Sequence, residues 1–132
     1  MSISDRVLLD THAYLWFVGN DSRLSVKARD VIEDGGTVPF LSIAAVWEMA
    51  IKVSIGKLTP HVPFTVLIAD QLARNNITLL DISIDHTLRV AQLPMHHRDP
   101  FDRMLIAQAM VERMPIISAD AAFDAYPITR IW

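Results

Sequence analysis

Four acidic residues stand where apolar runs end or are interrupted. They are Asp10 in Leu8-Leu9-Asp10-Thr11-His12, Glu48 in Val46-Trp47-Glu48-Met49, Asp102 in Asp99-Pro100-Phe101-Asp102-Arg103 and Asp120 in Ile117-Ser118-Ala119-Asp120. An ionised carboxylate is costly to bury without cations or hydrogen-bond donors around it. Four of them in apolar settings within one small chain point to a shared charge, and a bound divalent metal supplies it. Mg2+ takes oxygen ligands and keeps several waters, which suits a few carboxylates together with a substrate phosphate. The chain has no cysteine, which excludes a thiolate zinc site, a disulfide framework and a cysteine nucleophile. No clear Ser–His–Asp arrangement argues for covalent catalysis.

The neighbourhood of each acid sharpens this reading. In the run from Ile43 to Ile55, helical placement at about 100° per residue puts apolar side chains around most of the circle. Glu48 and Lys52 share the narrow arc that remains, so Glu48 faces a cleft rather than open water, against the alternative of a solvated i,i+4 pair. Asp102 lies in a first helical turn on the face of Leu105, Ile106 and Ala109, and Asp99 already supplies the cap there. Asp10 and Asp120 each have an alternative as N-cap of the following helix. Asp124, one turn after Asp120, reads as a solvated helix residue.

The elements that must position these acids alternate between strand and helix. Strands are expected at Val7 to Leu9, Thr37 to Leu41, Ile77 to Leu80, Pro115 to Ser118 and Ile128 to Ile131. Helices are expected from Thr11 to Phe17, Val26 to Glu33, Ile43 to Ile55, Phe64 to Arg74, Asp85 to Gln92, Pro100 to Arg113 and Ala121 to Ala125. Ser25, Ser42 and Asp99 are the N-caps, Pro100 sits at a first helical position, and Gly56 closes the third helix. Solid apolar strands alternating with helices predict an α/β domain with a mainly parallel sheet. Ligands of such sheets gather at the carboxyl ends of the strands, where Asp10 and Asp120 arrive.

The bulk properties agree. The 132 residues are 52% hydrophobic and 20% charged, enough for one domain over residues 1–132 with a substantial core. A mean hydropathy of +0.29 leaves apolar surface for an oligomeric interface. The net charge of −3 argues against coating of DNA by a basic surface but not against a metal-held phosphate. No apolar run approaches the ~18 residues of a membrane span. The start, Met1 to Arg6, carries an acid and is unlike a secretory leader. A cytoplasmic location is expected.

Four segments together resemble the PIN-domain proteins, and more narrowly the VapC-type toxins of bacterial toxin–antitoxin pairs. They are Leu8-Leu9-Asp10-Thr11-His12; Ser42 to Glu48 with Lys52 and Gly56-Lys57-Leu58; His97 to Ala109; and Ser118-Ala119-Asp120 with Phe123 and Tyr126. The resemblance implies a three-layer α/β/α sandwich around a parallel sheet and a Mg2+- or Mn2+-dependent endoribonuclease whose motif acids match Asp10, Glu48, Asp102 and Asp120. It also implies a cognate antitoxin, and the apolar content fits a homodimer. Asp10 and Asp102 are the foremost ligands, with Glu48 and Asp120 completing the site or orienting the attacking water. Thr11, Lys52, Arg98 and Arg103 are candidates for holding RNA or the carboxylates, and His12, His96 and His97 for lining the RNA path. Repulsion among the acids is expected to raise the pKa of at least one of them. The competing readings are a phosphotransfer or phosphatase-type α/β domain and a non-catalytic binding module. A dehalogenase-type phosphatase wants a second Asp two residues after the first, where this chain has His12.

Overall fold

The apolar runs become neighbouring strands of one sheet in the computed structural model, which describes residues 5–132. The expectation about a leader at Met1 to Arg6 rests mostly on residues outside that range. Five strands, β1 (Arg6–Leu9), β2 (Val38–Ser42), β3 (Thr78–Leu80), β4 (Ile116–Ile117) and β5 (Arg130–Ile131), lie in the order β3-β2-β1-β4-β5. Every pairing is parallel. β1 is central, and Leu8 and Leu9 are fully buried, as expected of a parallel strand covered on both faces.

Side chains alternate across the sheet and divide the core in two. Val7, Leu9, Leu41 and Ile117 join one cluster with α1 (Thr11–Val18), α2 (Val26–Glu33) and α3 (Ile43–Ser54). Leu8 and Ile116 join the other with α6 (Pro100–Glu112) and Val90 of α5 (Ile84–Gln92). The chain is therefore the three-layer α/β/α sandwich with a parallel sheet that its alternating elements imply.

Helix starts follow side-chain chemistry. Ser25, Ser42 and Asp99 occupy extended N-cap positions, and each accepts a hydrogen bond from a first-turn N–H. Gly56 adopts φ +76° just beyond α3, a left-handed conformation that glycine enters without Cβ strain.

The region expected as one helix over Phe64 to Arg74 differs. It holds a wide π turn at Val66–Asp70 and then a short helix, α4 (Gln71–Arg74). The Leu67 carbonyl accepts the Tyr14 hydroxyl at 2.6 Å, and a side chain bonded into the helical ladder accompanies such widening. Burial also pushes the Tyr14 hydroxyl up to a pKa of about 12. Tyr14→Phe is expected to cost about 1–2 kcal/mol of stability by leaving that carbonyl unpaired, read as a lower urea midpoint with an unchanged slope. The last helical segment, Ala121–Ala125, is a 3-10 turn, and the last strand shortens because Ile128 N–H turns back to the Tyr126 carbonyl.

Candidate metal centre

The parallel register places three polar residues side by side at the carboxyl edge of the sheet. Leu9 pairs with Leu41 and with Ile117, so Asp10, Ser42 and Ser118 follow on adjacent strands. Asp10 N–H continues the ladder to the Ile117 carbonyl at 3.1 Å. Its side chain caps α1 by accepting from Ala13 N–H at 2.8 Å. Asp10 is buried, and this desolvation raises its pKa against the lowering by the Ser118 hydroxyl and Ala13 N–H.

Glu48 arrives from α3 and is buried. The Thr11 hydroxyl donates to its Oε1 at 2.6 Å and Lys52 Nζ to its Oε2 at 2.9 Å. The Glu48 bond also holds the Lys52 ammonium above its ordinary pKa, and Asp99 and Asp102 add to it.

Asp102 comes from the first turn of α6, within electrostatic reach of Glu48. The two helices meet over the sheet edge, where Trp47 and Phe101, each adjacent in sequence to one of these acids, touch edge to face at 5.4 Å. Asp99 caps α6, its Oδ1 accepting from Phe101 N–H and Asp102 N–H at 2.8 and 3.0 Å. Burial, followed by the charges of Asp99, Glu48, Asp10 and Asp120, pushes the Asp102 carboxyl up to a pKa of about 7.

Asp120 follows β4 and is exposed. Its Oδ1 accepts from Ala122 N–H at 2.9 Å and caps the 3-10 turn, while its Oδ2 lies 3.8 Å from His97 Nε2. The same His97 nitrogen is 3.1 Å from Asp102 Oδ2. Ligand atoms of His97, Asp102 and Asp120 all lie within 4.8 Å of one another.

The structure thus brings Asp10, Glu48, Asp102 and Asp120 into one electrostatic neighbourhood. Capping and membership of this group are not alternatives, because a carboxylate has two oxygens: Asp120 caps through one and turns the other to the group. Thr11 and Lys52 attach to Glu48. Arg98 is exposed beside the group and makes no hydrogen bond or ion pair among the described residues.

Arg103 does not join the acids. Its guanidinium donates to the backbone carbonyls of Val90, Leu93, Pro94 and His97 at 3.0–3.2 Å, so it clamps the loop before α6. His12 packs on Trp16 at 5.6 Å, and His96 on Tyr126 at 5.3 Å.

Ser118 and Tyr126 belong to a segment that carries the family resemblance, which assigns neither of them a role, and both join the hydrogen bonding around the acids. Ser118 is buried, its hydroxyl lowers the Asp10 pKa, and it accepts from Asp120 N–H at 3.0 Å. The Tyr126 hydroxyl accepts from His97 N–H at 2.9 Å and donates to the Pro94 carbonyl at 2.7 Å. A small hydroxyl after an apolar run was the available signal for Ser118. Tyr126 stands in a segment that carries the family resemblance, but its hydrogen-bond partners lie far away in sequence.

The donor set fits a hard divalent cation. It is carboxylate oxygen from several elements, with unrelieved repulsion at Asp102 and with oxygens left over after capping. A cavity of about 500 Å3 lined by His12, Trp16, Leu58 and His61 among others lies beside α1 and contains none of the four acids.

Comparison with known proteins bears on the family and the fold. The sequence matches the family model described as PIN domain over residues 7–128. A comparison with curated proteins gives no match. Among solved structures, the chain is similar to the VapBC2 structure from Rickettsia felis bound to a DNA fragment from its promoter. The TM-score is 0.69 at 12% identity, over 95% of this chain and 96% of that one. It is similar also to a toxin–antitoxin complex from Klebsiella pneumoniae, with TM-score 0.62 at 18% identity over 92% of each chain. A third, FitAcB from Neisseria gonorrhoeae, has TM-score 0.59 at 15% identity over 94% and 95%. At these identities the likeness is one of fold. No described helix is long and apolar enough to cross a membrane.

Proposed function

The chain belongs to the PIN-domain family, whose model spans residues 7–128, and on that premise we propose that it is a divalent-metal-dependent endoribonuclease acting as the toxin of a VapC-type toxin–antitoxin pair. The observation that carries the proposal is the convergence of ligand atoms from separate elements: those of His97, Asp102 and Asp120 lie within 4.8 Å of one another, where burial and the charges of Asp99, Glu48, Asp10 and Asp120 push the Asp102 carboxyl up. Such crowding is disfavoured in a scaffold and useful where a cation is to be held.

Asp10, Glu48, Asp102 and Asp120 would hold Mg2+ or Mn2+ through carboxylate oxygens. When bound, the ion supplies Lewis acidity and positive charge to phosphodiester hydrolysis. Thr11 and Lys52 fix the Glu48 carboxylate from two sides, which sets the direction of its oxygens. Asp99 holds the first turn of α6 and with it Asp102. Arg98, exposed on the loop before α6, would meet a phosphate of the RNA. RNA is the substrate that the family resemblance favours.

The partner reading draws on the fold relatives, which are toxin–antitoxin complexes. The cavity beside α1, with its apolar walls and its Asp21 and Arg23, suits a segment of a small antitoxin. Ile84 and Leu88 on α5, 74% and 58% exposed, support a homodimer.

The purified chain should cleave an end-labelled RNA with Mn2+ and stop on addition of EDTA. Cleavage that survives EDTA, or that Asp10→Asn leaves undiminished, overturns the metal reading. A milder change tests the support of Glu48: Thr11→Val is expected to weaken Mn2+ binding by roughly 10-fold, measured by calorimetry, without changing the circular dichroism spectrum.

A further inference from the structure

Of the four acids, Asp120 alone is exposed, whereas Asp10 and Glu48 are buried and Asp102 is half-buried. An exposed side chain on a loop loses conformational freedom when it is held in one place, so what fixes its backbone decides where its carboxylate points. Within the loop the bonds are short-range. Asp120 N–H donates to the Ser118 hydroxyl at 3.0 Å, its Oδ1 accepts from Ala122 N–H at 2.9 Å and its carbonyl from Phe123 N–H at 3.2 Å. These bonds join residues 118–123 to one another and not to the sheet.

The tie to the sheet comes from β5. Ser118 N–H donates to the Ile131 carbonyl at 3.3 Å. Arg130 Nε and Nη2 donate to Oδ1 and Oδ2 of Asp124, each at 3.0 Å, and Nη1 donates to the Ser118 carbonyl at 3.1 Å. One planar guanidinium thus grips the chain on both sides of Asp120. A fork on a carboxylate fixes direction as well as distance. Asp124 is 54% exposed, and an ion pair at such a site adds little stability by itself. The geometry says more than the energy, because the gripped turn is the one that Asp120 caps. Arg130 itself is held in the sheet by its register with Ile116.

We propose that Arg130 is a positioning residue for the metal centre: by gripping both ends of the turn that Asp120 caps, it keeps Asp120 Oδ2 on the group formed with His97 and Asp102. This rests on the metal-dependent reading of the site. It adds that the exposed acid is aimed from an edge strand of the sheet, by a residue that is itself no ligand. Partners that orient a ligand from outside typically matter roughly 10–100-fold in metal affinity.

Mn2+ titration calorimetry on the full chain tests this with Arg130→Ala, Arg130→Lys, Asp124→Ala, Asp120→Asn and the double variant Arg130→Ala with Asp120→Asn. Asparagine keeps the cap and removes the charge. Arg130→Ala and Asp124→Ala should each lose roughly 10-fold in affinity. Arg130→Lys should recover little, because an ammonium has no fork to span both partners. The double variant should bind as weakly as Asp120→Asn alone, since Arg130 acts through that carboxylate, whereas general damage to the fold would add its own loss. If Arg130→Ala loses the circular dichroism of the fold, Arg130→Lys takes its place in both comparisons. Parent-like affinity in every folded Arg130 and Asp124 variant, or a full additional loss in the double variant, overturns the role of Arg130 and leaves the metal site standing. Parent-like affinity in Asp120→Asn removes Asp120 from the site and this role with it. A parent that binds no Mn2+ overturns the site and this role together.

Discussion

Asp102→Asn is expected to abolish metal-dependent cleavage and, in the same protein without metal, to raise the melting temperature. The sign follows from the environment of the carboxyl. Burial first, and then Asp99, Glu48, Asp10 and Asp120, raise its pKa from 3.8 to about 7 in the folded state. The folded chain thus binds this proton more tightly than the unfolded chain does. The contribution to stability is fully present below a pH of about 4 and is lost as the pH rises through about 7. Above that pH the folded protein carries a charge that its surroundings oppose, by up to about 4 kcal/mol. Asparagine keeps the shape and removes the charge. Thermal melts in EDTA should show the parent losing stability between about pH 4 and pH 7 relative to the variant. Saturating Mn2+ should reverse the order by stabilising the parent selectively. A parent and variant with the same pH dependence in EDTA would show that Asp102 is not crowded as described.

The second large effect is expected at Arg103. Its fork holds four backbone carbonyls of the segment from Val90 to His97 and approaches the Tyr126 hydroxyl. Hydrogen bonds from a charged donor are worth more than neutral ones, and several act as a unit here. Arg103→Ala is expected to cost about 2–4 kcal/mol. Arg103→Lys should recover little, since an ammonium cannot span carbonyls spread over a loop. Urea denaturation gives the stability. Amide exchange at His97, whose N–H is held by Tyr126, should accelerate ahead of amides in β1. Unchanged protection at His97 in Arg103→Ala would refute the clamp.

What was legible in the chain is what short-range chemistry decides. Asp99 followed by Pro100 marks the start of α6 because the cap and the fixed proline φ act within one turn. Apolar runs as solid as Val7-Leu8-Leu9 belong to a strand covered on both faces. The arc shared by Glu48 and Lys52 becomes a 2.9 Å ion pair on a buried side.

The rest depends on partners distant in sequence. Arg103 beside Asp102 reads as a companion of the acids, yet the loop before α6 folds back over it and supplies carbonyls at closer range. His97 reads as one of several loop histidines, and its reach to Asp120 across 23 positions exists only once β4 lies beside β1. The π turn at Val66–Asp70 depends on Tyr14, 53 residues before Leu67. Periodicity within a window carries none of these contacts.

The double duty of Asp10 and Asp120 bears on how such a chain drifts over generations. Each caps the turn that follows it while facing the group of acids. Most replacements at these positions remove a cap along with the charge, at a cost of about 1 kcal/mol each, so selection on folding alone discards many of them even when the chemistry is no longer needed. Asparagine is the exception, because it caps as well as aspartate does. The easiest path from a working nuclease to an inert relative with the same shape therefore runs through Asp-to-Asn changes at these two positions, and descendants that have lost the activity should carry that mark first.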